Sequence, residues 1–128
     1  MNKYDGVTDE DFEIFKSSNI PFQAKENAAK NINKGIEYET AFDTPHGKIL
    51  LKDLQDTLVS GLTKITSHKH NPDKSIAENY DNLLVAINKY QVAEEMKCKW
   101  EGILKTKDAS LQMIKGESTK IKNNNRIR

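Results

Sequence analysis

The chain has 128 residues, of which 36% are hydrophobic and 30% charged, so it can form one domain with a thin core. Its 20 Lys and Arg residues nearly balance 19 Asp and Glu residues, and a net charge of +1 does not mark the whole chain as a nucleic-acid binder. The single cysteine, Cys98, excludes an intramolecular disulfide, and the longest apolar runs fall far short of the roughly 20 residues that span a bilayer.

The first predicted elements are two short helices within residues 8–42. Thr8 precedes three acidic residues, which is typical of a capping hydroxyl followed by a negative first turn. This helix is expected to stop near residues 17–19. Pro21 suits the start of the second helix, in which apolar residues recur at three- and four-residue steps from Ala24 to Ile36. Gly35 is expected to weaken that helix.

A turn with strong start signals follows, in the stretch FDTPHGKILLKDL at residues 42–54. The Thr44 hydroxyl can accept a hydrogen bond from a first-turn amide, and Pro45 has no amide to leave unpaired. Gly47 permits close approach of another segment, and Phe42 is expected to pack beside Leu50 or Leu54. Phe42, Thr44, Pro45 and Gly47 are therefore predicted to form a structural corner.

A helical hairpin is predicted over residues 44–106. Its first helix carries an apolar stripe that needs cover from another helix, formed by Leu50, Leu54, Leu58, Leu62 and Ile65. The polar run 67–73, with Pro72, predicts the loop. A helical pattern then runs without proline from Ile76 to Thr106, which is longer than its partner, so part of it is free to meet another element or another copy. The predicted fold class is all-α, a helical hairpin or small bundle with one long C-terminal helix, in a compact or elongated form.

The C-terminal region is predicted to contain a short helix at 108–115, which closes a single helical domain at 1–115, and a basic flexible tail at 116–128. The tail carries Lys120, Lys122, Arg126 and Arg128 against Glu117, a charge of +3. Such a segment can neutralise phosphates, so these four residues are the candidate nucleic-acid contacts. A frayed end without a ligand is the competing interpretation.

Signals for chemistry are weak throughout the chain. His68 and His70 alternate as two metal ligands can, but a site needs three or four donors and no second cysteine accompanies them. Cys98 in mid-helix is typical of a small packing residue, and Glu94 with Glu95 is typical of a solvated helix surface. The sequence predicts no enzyme activity, no metal, no cofactor and no small-molecule substrate.

The pattern Phe42-x-Thr44-x-x-Gly47-x-x-Leu50-x-x-x-Leu54 resembles a family of small tailed-phage proteins encoded among virion genes. The likeness covers residues 42–104, but the Gly-Arg-Arg-like element of the family's second helix is missing at residues 88–90. The resemblance implies a non-enzymatic, virion-associated accessory or structural protein at the head, portal or tail junction, or among internal proteins. It would contact other virion proteins, form a homo-oligomer, and reside in the virion or the host cytoplasm.

Two other classes fit the same features. A DNA-associated packaging protein, such as a small terminase subunit, is also helical, oligomeric and basic at one end. A small intracellular regulator that binds a host protein is the third possibility. The packaging protein would shift DNA mobility in a salt-dependent way. The regulator would be absent from purified particles.

Overall fold

The computed structural model describes residues 4–127, and in this range the chain forms four α-helices and no strand. They are α1 (Asp9–Lys16), α2 (Phe22–Phe42), α3 (Pro45–Thr66) and α4 (Ile76–Ile127). The all-α class and the long C-terminal helix are thereby confirmed. The chain divides into two compact units: a core unit, made of the described residues up to Thr40 and from Glu101 onward, and a hairpin unit, Ala41–Trp100.

The helix starts follow from local hydrogen bonds. At α1, the Thr8 hydroxyl accepts from the Asp11 amide at 3.2 Å, and the Asp11 carboxylate accepts from the Thr8 amide at 3.0 Å. This reciprocal pair satisfies two amides that the helix itself leaves free. The helix ends at Lys16 with Ser17 as C-cap, as predicted. At α2, the amides of Ala24 and Lys25 both donate to the Pro21 carbonyl, so the helix begins one residue after the proline.

The core unit buries a hydrophobic cluster with members from three helices and from the segment before α1: Val7, Phe15, Ala28, Ile32, Leu111 and Ile114. Close approach of α2 and α4 depends on Gly35, where an added Cβ would lie 2.5 Å from the Lys107 Cβ. Gly35 is therefore a packing position. One helical turn after Gly35, Glu39 pairs with the buried Lys107, whose ammonium donates to both carboxylate oxygens at 2.8 and 2.9 Å.

The predicted break between a helix at 108–115 and a flexible tail at 116–128 is wrong, because α4 continues unbroken to Ile127. Leu111, Ile114 and Ser118 are buried in the core unit at helical spacing. Their packing outweighs the weak helix propensity of Gly116 and of the Asn run at 123–125. Arg128 lies outside the described residues.

The hairpin unit pairs α3 with the first part of α4. Leu54, Leu58 and Ile65 of the predicted stripe are half-buried, whereas Leu50 and Leu62 are 62% and 49% exposed. The expectation that the whole stripe is covered is wrong in these two places. The reason is geometric, since one partner helix covers only a narrow strip of α3.

Candidate binding surface

The predicted corner at residues 42–47 is a packed helix start. Thr44 is the N-cap of α3, where its hydroxyl accepts from the Gly47 amide at 3.0 Å and donates to the Ala41 carbonyl at 2.8 Å. Pro45 is the first helical residue. A Cβ on Gly47 would collide with the Ala41 carbonyl oxygen, and Gly47 is buried. The Phe42 ring makes an edge contact with Trp100, with centroids 5.2 Å apart. These side chains serve packing and capping.

A buried asparagine holds the turn between α3 and α4. The Asn79 carbonyl oxygen accepts from the Asn71 amide at 2.8 Å, and its amide nitrogen donates to the carbonyls of Asn71, Lys74 and Ser75. Only 6% of Asn79 is exposed, so these bonds replace water that the side chain has lost. The polar loop predicted at residues 67–73 is therefore a fixed turn, and Asn79 was missed because nothing distinguishes it from a solvated helix asparagine.

On one side of the hairpin, a stretch of each helix carries no charged residue over several turns, and we call these two stretches together the uncharged face. Its α3 half consists of Leu51, Gln55, Leu58, Val59 and Leu62, which recur at steps of three and four residues. Val59 is 63% exposed and Leu62 is 49% exposed, while Leu51 and Leu58 are half-buried against the hairpin. This half presents branched apolar side chains to solvent.

The α4 half of the uncharged face consists of Ile76, Tyr80, Leu84, Ile87 and Gln91, again at steps of three and four residues. Ile76 and Tyr80 are 81% and 63% exposed, and Leu84 is 39% exposed. The two halves lie on the same side of the hairpin, because α3 and α4 run in opposite directions and their facing strips are set by Gly61 and Tyr90. The two halves overlap in level around Val59, Leu62 and Ile87, and exposed apolar side chains grouped in this way mark a candidate interaction site.

The other side of the hairpin differs in character. A shallow apolar groove there is lined by Leu54, Thr57, Val92 and Met96, among other residues. Next to it lies a cleft lined by charged side chains that include Asp53, Asp56, Lys64 and Lys89. Charged groups retain water and oppose dry packing. The uncharged face is therefore the better contact surface of the two.

In the core unit, Asp11 is a buried carboxylate with several donors. The Ser118 hydroxyl donates to Asp11 Oδ1 at 2.6 Å, Lys122 Nζ reaches the same oxygen at 3.1 Å, and Lys115 Nζ reaches Oδ2 at 3.1 Å. The hydrogen bond from Ser118 is the main cause that lowers the pKa of Asp11 far below its usual range, with help from the Thr8 amide and the two lysines and against the effect of burial. This Asp11 cluster ties α1 to α4.

The four cations predicted to contact nucleic acid have different surroundings, because one of them belongs to the Asp11 cluster. Lys122 lies at Asp11 and also 3.7 Å from Glu10, so its charge is engaged within the core unit. Lys120 and Arg126 are exposed on α4, and Arg128 lies outside the described residues. Binding of nucleic acid by this segment stays a prediction, and it would rest on fewer free charges than the sequence indicated.

The three histidines and the cysteine lie apart along the hairpin unit. His46 occupies the first turn of α3, His68 and His70 are exposed in the turn after it, and Cys98 is exposed on α4. Within residues 4–127, no group of three or more His, Cys, Asp and Glu side chains is arranged to hold a metal ion. In the same range, every helix is too polar or too short to cross a membrane.

Comparison with known proteins adds no relative: no family model, curated protein or solved structure matches this chain. The likeness to small tailed-phage proteins therefore stays a prediction that rests on the spacing of Phe42, Thr44, Gly47, Leu50 and Leu54. These residues all belong to the hairpin unit.

Proposed function

We propose that this protein is a non-enzymatic accessory protein of tailed-phage particles that acts through protein–protein contacts, with the uncharged face as its contact surface. The observation that carries the proposal is the exposure of Val59, Leu62 and Tyr80 on one charge-free side of the hairpin. Burying such side chains in a protein contact releases free energy at about 25 cal/mol per Å² of apolar area. The residues of the phage-like pattern belong to the same unit, which further supports this choice.

The test is to compare particles of the encoding phage that carry the natural chain with particles made with a Leu62→Glu/Tyr80→Glu chain. Mass spectrometry should detect the natural chain in purified particles, and incorporation of the variant should fall about tenfold or more, since two charges would have to be buried in the contact. Leu62 and Tyr80 are 49% and 63% exposed, so the variant should fold with only a small loss of stability, which thermal melting checks.

The matched control is Lys64→Glu, a charge change on the other side of α3, and it should be incorporated normally. Absence of the natural chain from particles would contradict the proposal. Equal incorporation of the natural chain and the double variant would leave the protein in the particle but remove the uncharged face as its contact.

A further inference from the structure

We propose that α4 is hinged at Gly102, so that the core unit and the hairpin unit change their orientation relative to each other. The inference goes beyond the proposed function, because it does not depend on what the uncharged face contacts. α4 is one unbroken helix, yet the hairpin unit ends at Trp100 and the core unit resumes at Glu101. The boundary between the two units therefore lies inside a helix, within two residues of Gly102.

The surroundings of Gly102 give no packing reason for a glycine. A Cβ at Gly35 would lie 2.5 Å from the Lys107 Cβ, and a Cβ at Gly61 would lie 3.3 Å from the Tyr90 Cβ, so those two glycines admit a neighbour. A Cβ at Gly102 would meet no neighbouring side chain or helix of the described chain within 4 Å. Glycine destabilises a helix interior, because it loses more backbone entropy than other residues when it becomes helical. Gly102 therefore loosens α4 at the boundary without improving any contact.

A side-chain hydrogen bond loosens the same turn of α4. The Thr106 hydroxyl donates to the Gly102 carbonyl at 2.8 Å. In an α-helix that carbonyl also accepts from the backbone amide of Thr106, four residues later. Two donors then share one acceptor, and hydroxyl bonds of this kind weaken the helical ladder and bend helices. The glycine and the threonine thus act on one helical turn by separate mechanisms.

The second link between the units lies in the last turn of α2, directly after Thr40. Two pairs within the core unit show that α2 and α4 run antiparallel: Asn31 with Ser110, and Gly35 with Lys107. Five residues further along α2 and five residues back along α4, Thr40 is level with Gly102. The last turn of α2 carries no basic residue to stabilise its carbonyl end. A bend at this level therefore acts on both links.

Gly116 has the same open surroundings as Gly102 but a different place in the fold. It lies between Ile114 and Ser118, which are both buried in the core unit. Packing on either side fixes α4 there, since a bend would pull buried side chains out of the core. Gly116 is therefore the matched control for a hinge at Gly102.

Residual dipolar couplings of the backbone amides, measured on the full chain in a neutral aligning gel, test the hinge. If the units move independently, the couplings of each unit are averaged separately, and the two fitted alignment magnitudes differ by more than their errors. We expect Gly102→Ala to bring the two magnitudes closer and Gly116→Ala to leave their difference unchanged. A single alignment that fits both units of the natural chain would overturn the hinge. Equal effects of the two substitutions would overturn its position at Gly102.

Hydrogen exchange gives a local measurement of the same turn. Gly102→Ala should raise the protection factor of the Thr106 amide by roughly fivefold, since alanine favours the helix. Thr106→Val removes the hydroxyl but keeps the branched shape, and it should raise protection at the same position by a smaller factor. Gly116→Ala should leave this protection unchanged. Unaltered protection in both test variants would contradict the loosened turn, whereas the particle experiment decides the proposed function separately.

Discussion

The two units share helix α4 but use it differently. In the core unit, Leu111 and Ile114 are almost fully buried and Asp11 is buried with them. In the hairpin unit, the buried residues within α3 and the first part of α4 are Gly47, Gly61, Asn79 and Ala93, all small or polar. Its large apolar side chains are half-buried or exposed. A pair of helices can bury only one strip from each, and a third helix is what closes a core.

The buried packing of the chain therefore lies mostly in the core unit. The core unit contains the contacts whose loss should be costly. The hairpin unit instead leaves large apolar side chains exposed to solvent.

Asp11→Ala should cost the most, about 4 kcal/mol of the free energy of unfolding, because it removes a buried paired charge together with the acceptor of the Thr8 amide at the start of α1. Ser118, which is fully buried, would lose its acceptor. Asp9→Ala, at an exposed neighbouring position, should cost less than about 1 kcal/mol. Chemical denaturation of both variants measures the difference. Equal small losses would mean that the Asp11 cluster does not hold α1 to α4.

The pH dependence of stability gives the same cluster a second readout. The pKa of Asp11 is lowered in the fold, so its carboxylate stabilises the native state above the ordinary carboxyl pKa of about 3.9. This contribution should be lost progressively as the pH falls below about 4 toward the depressed native pKa. In Asp11→Ala the free energy of unfolding should fall less steeply with pH over the same acidic range. The same dependence of stability on acidic pH in both chains would contradict a stabilising role of the Asp11 carboxylate.

A matched pair of leucine truncations compares the units directly. Leu111→Ala should cost about 3 kcal/mol, because it leaves a cavity at a position with no exposed surface. Leu62→Ala should cost less than about 1 kcal/mol in dilute solution, since half of that side chain is already in water. Thermal melting at several concentrations is the measurement. A cost at Leu62 that rises with protein concentration would show that its surface is covered by another chain.

A matched pair of glycine substitutions has a smaller expected effect. Gly47→Ala should cost about 2 kcal/mol, because its Cβ would collide with the Ala41 carbonyl and force the corner apart. Gly102→Ala should instead stabilise the chain by up to about 1 kcal/mol, since nothing lies near its Cβ and alanine favours the helix. Melting temperatures of the two variants should move in opposite directions. A neutral Gly47→Ala would contradict the tight packing of Gly47 against Ala41 and Phe42.

Local rules predicted much of the fold. The caps at Thr8 and Thr44, the stop near Ser17 and the polar turn after α3 all follow from side chains that bond to nearby backbone. The candidate surface was only partly predictable. The stripe on α3 was visible in the spacing of its leucines, but the sequence did not reveal which of them a partner helix would leave exposed.

What the sequence determined by itself was helix type, helix starts and the number of apolar stripes, because these depend on residues within four positions of one another. Tertiary structure alone decided that α4 continues past Gly116, that Gly35 admits Lys107 and that Asp11 is buried under Ser118. Each of these joins residues that lie far apart in the chain. Packing energy at such contacts exceeds the small propensity differences that the local sequence carries.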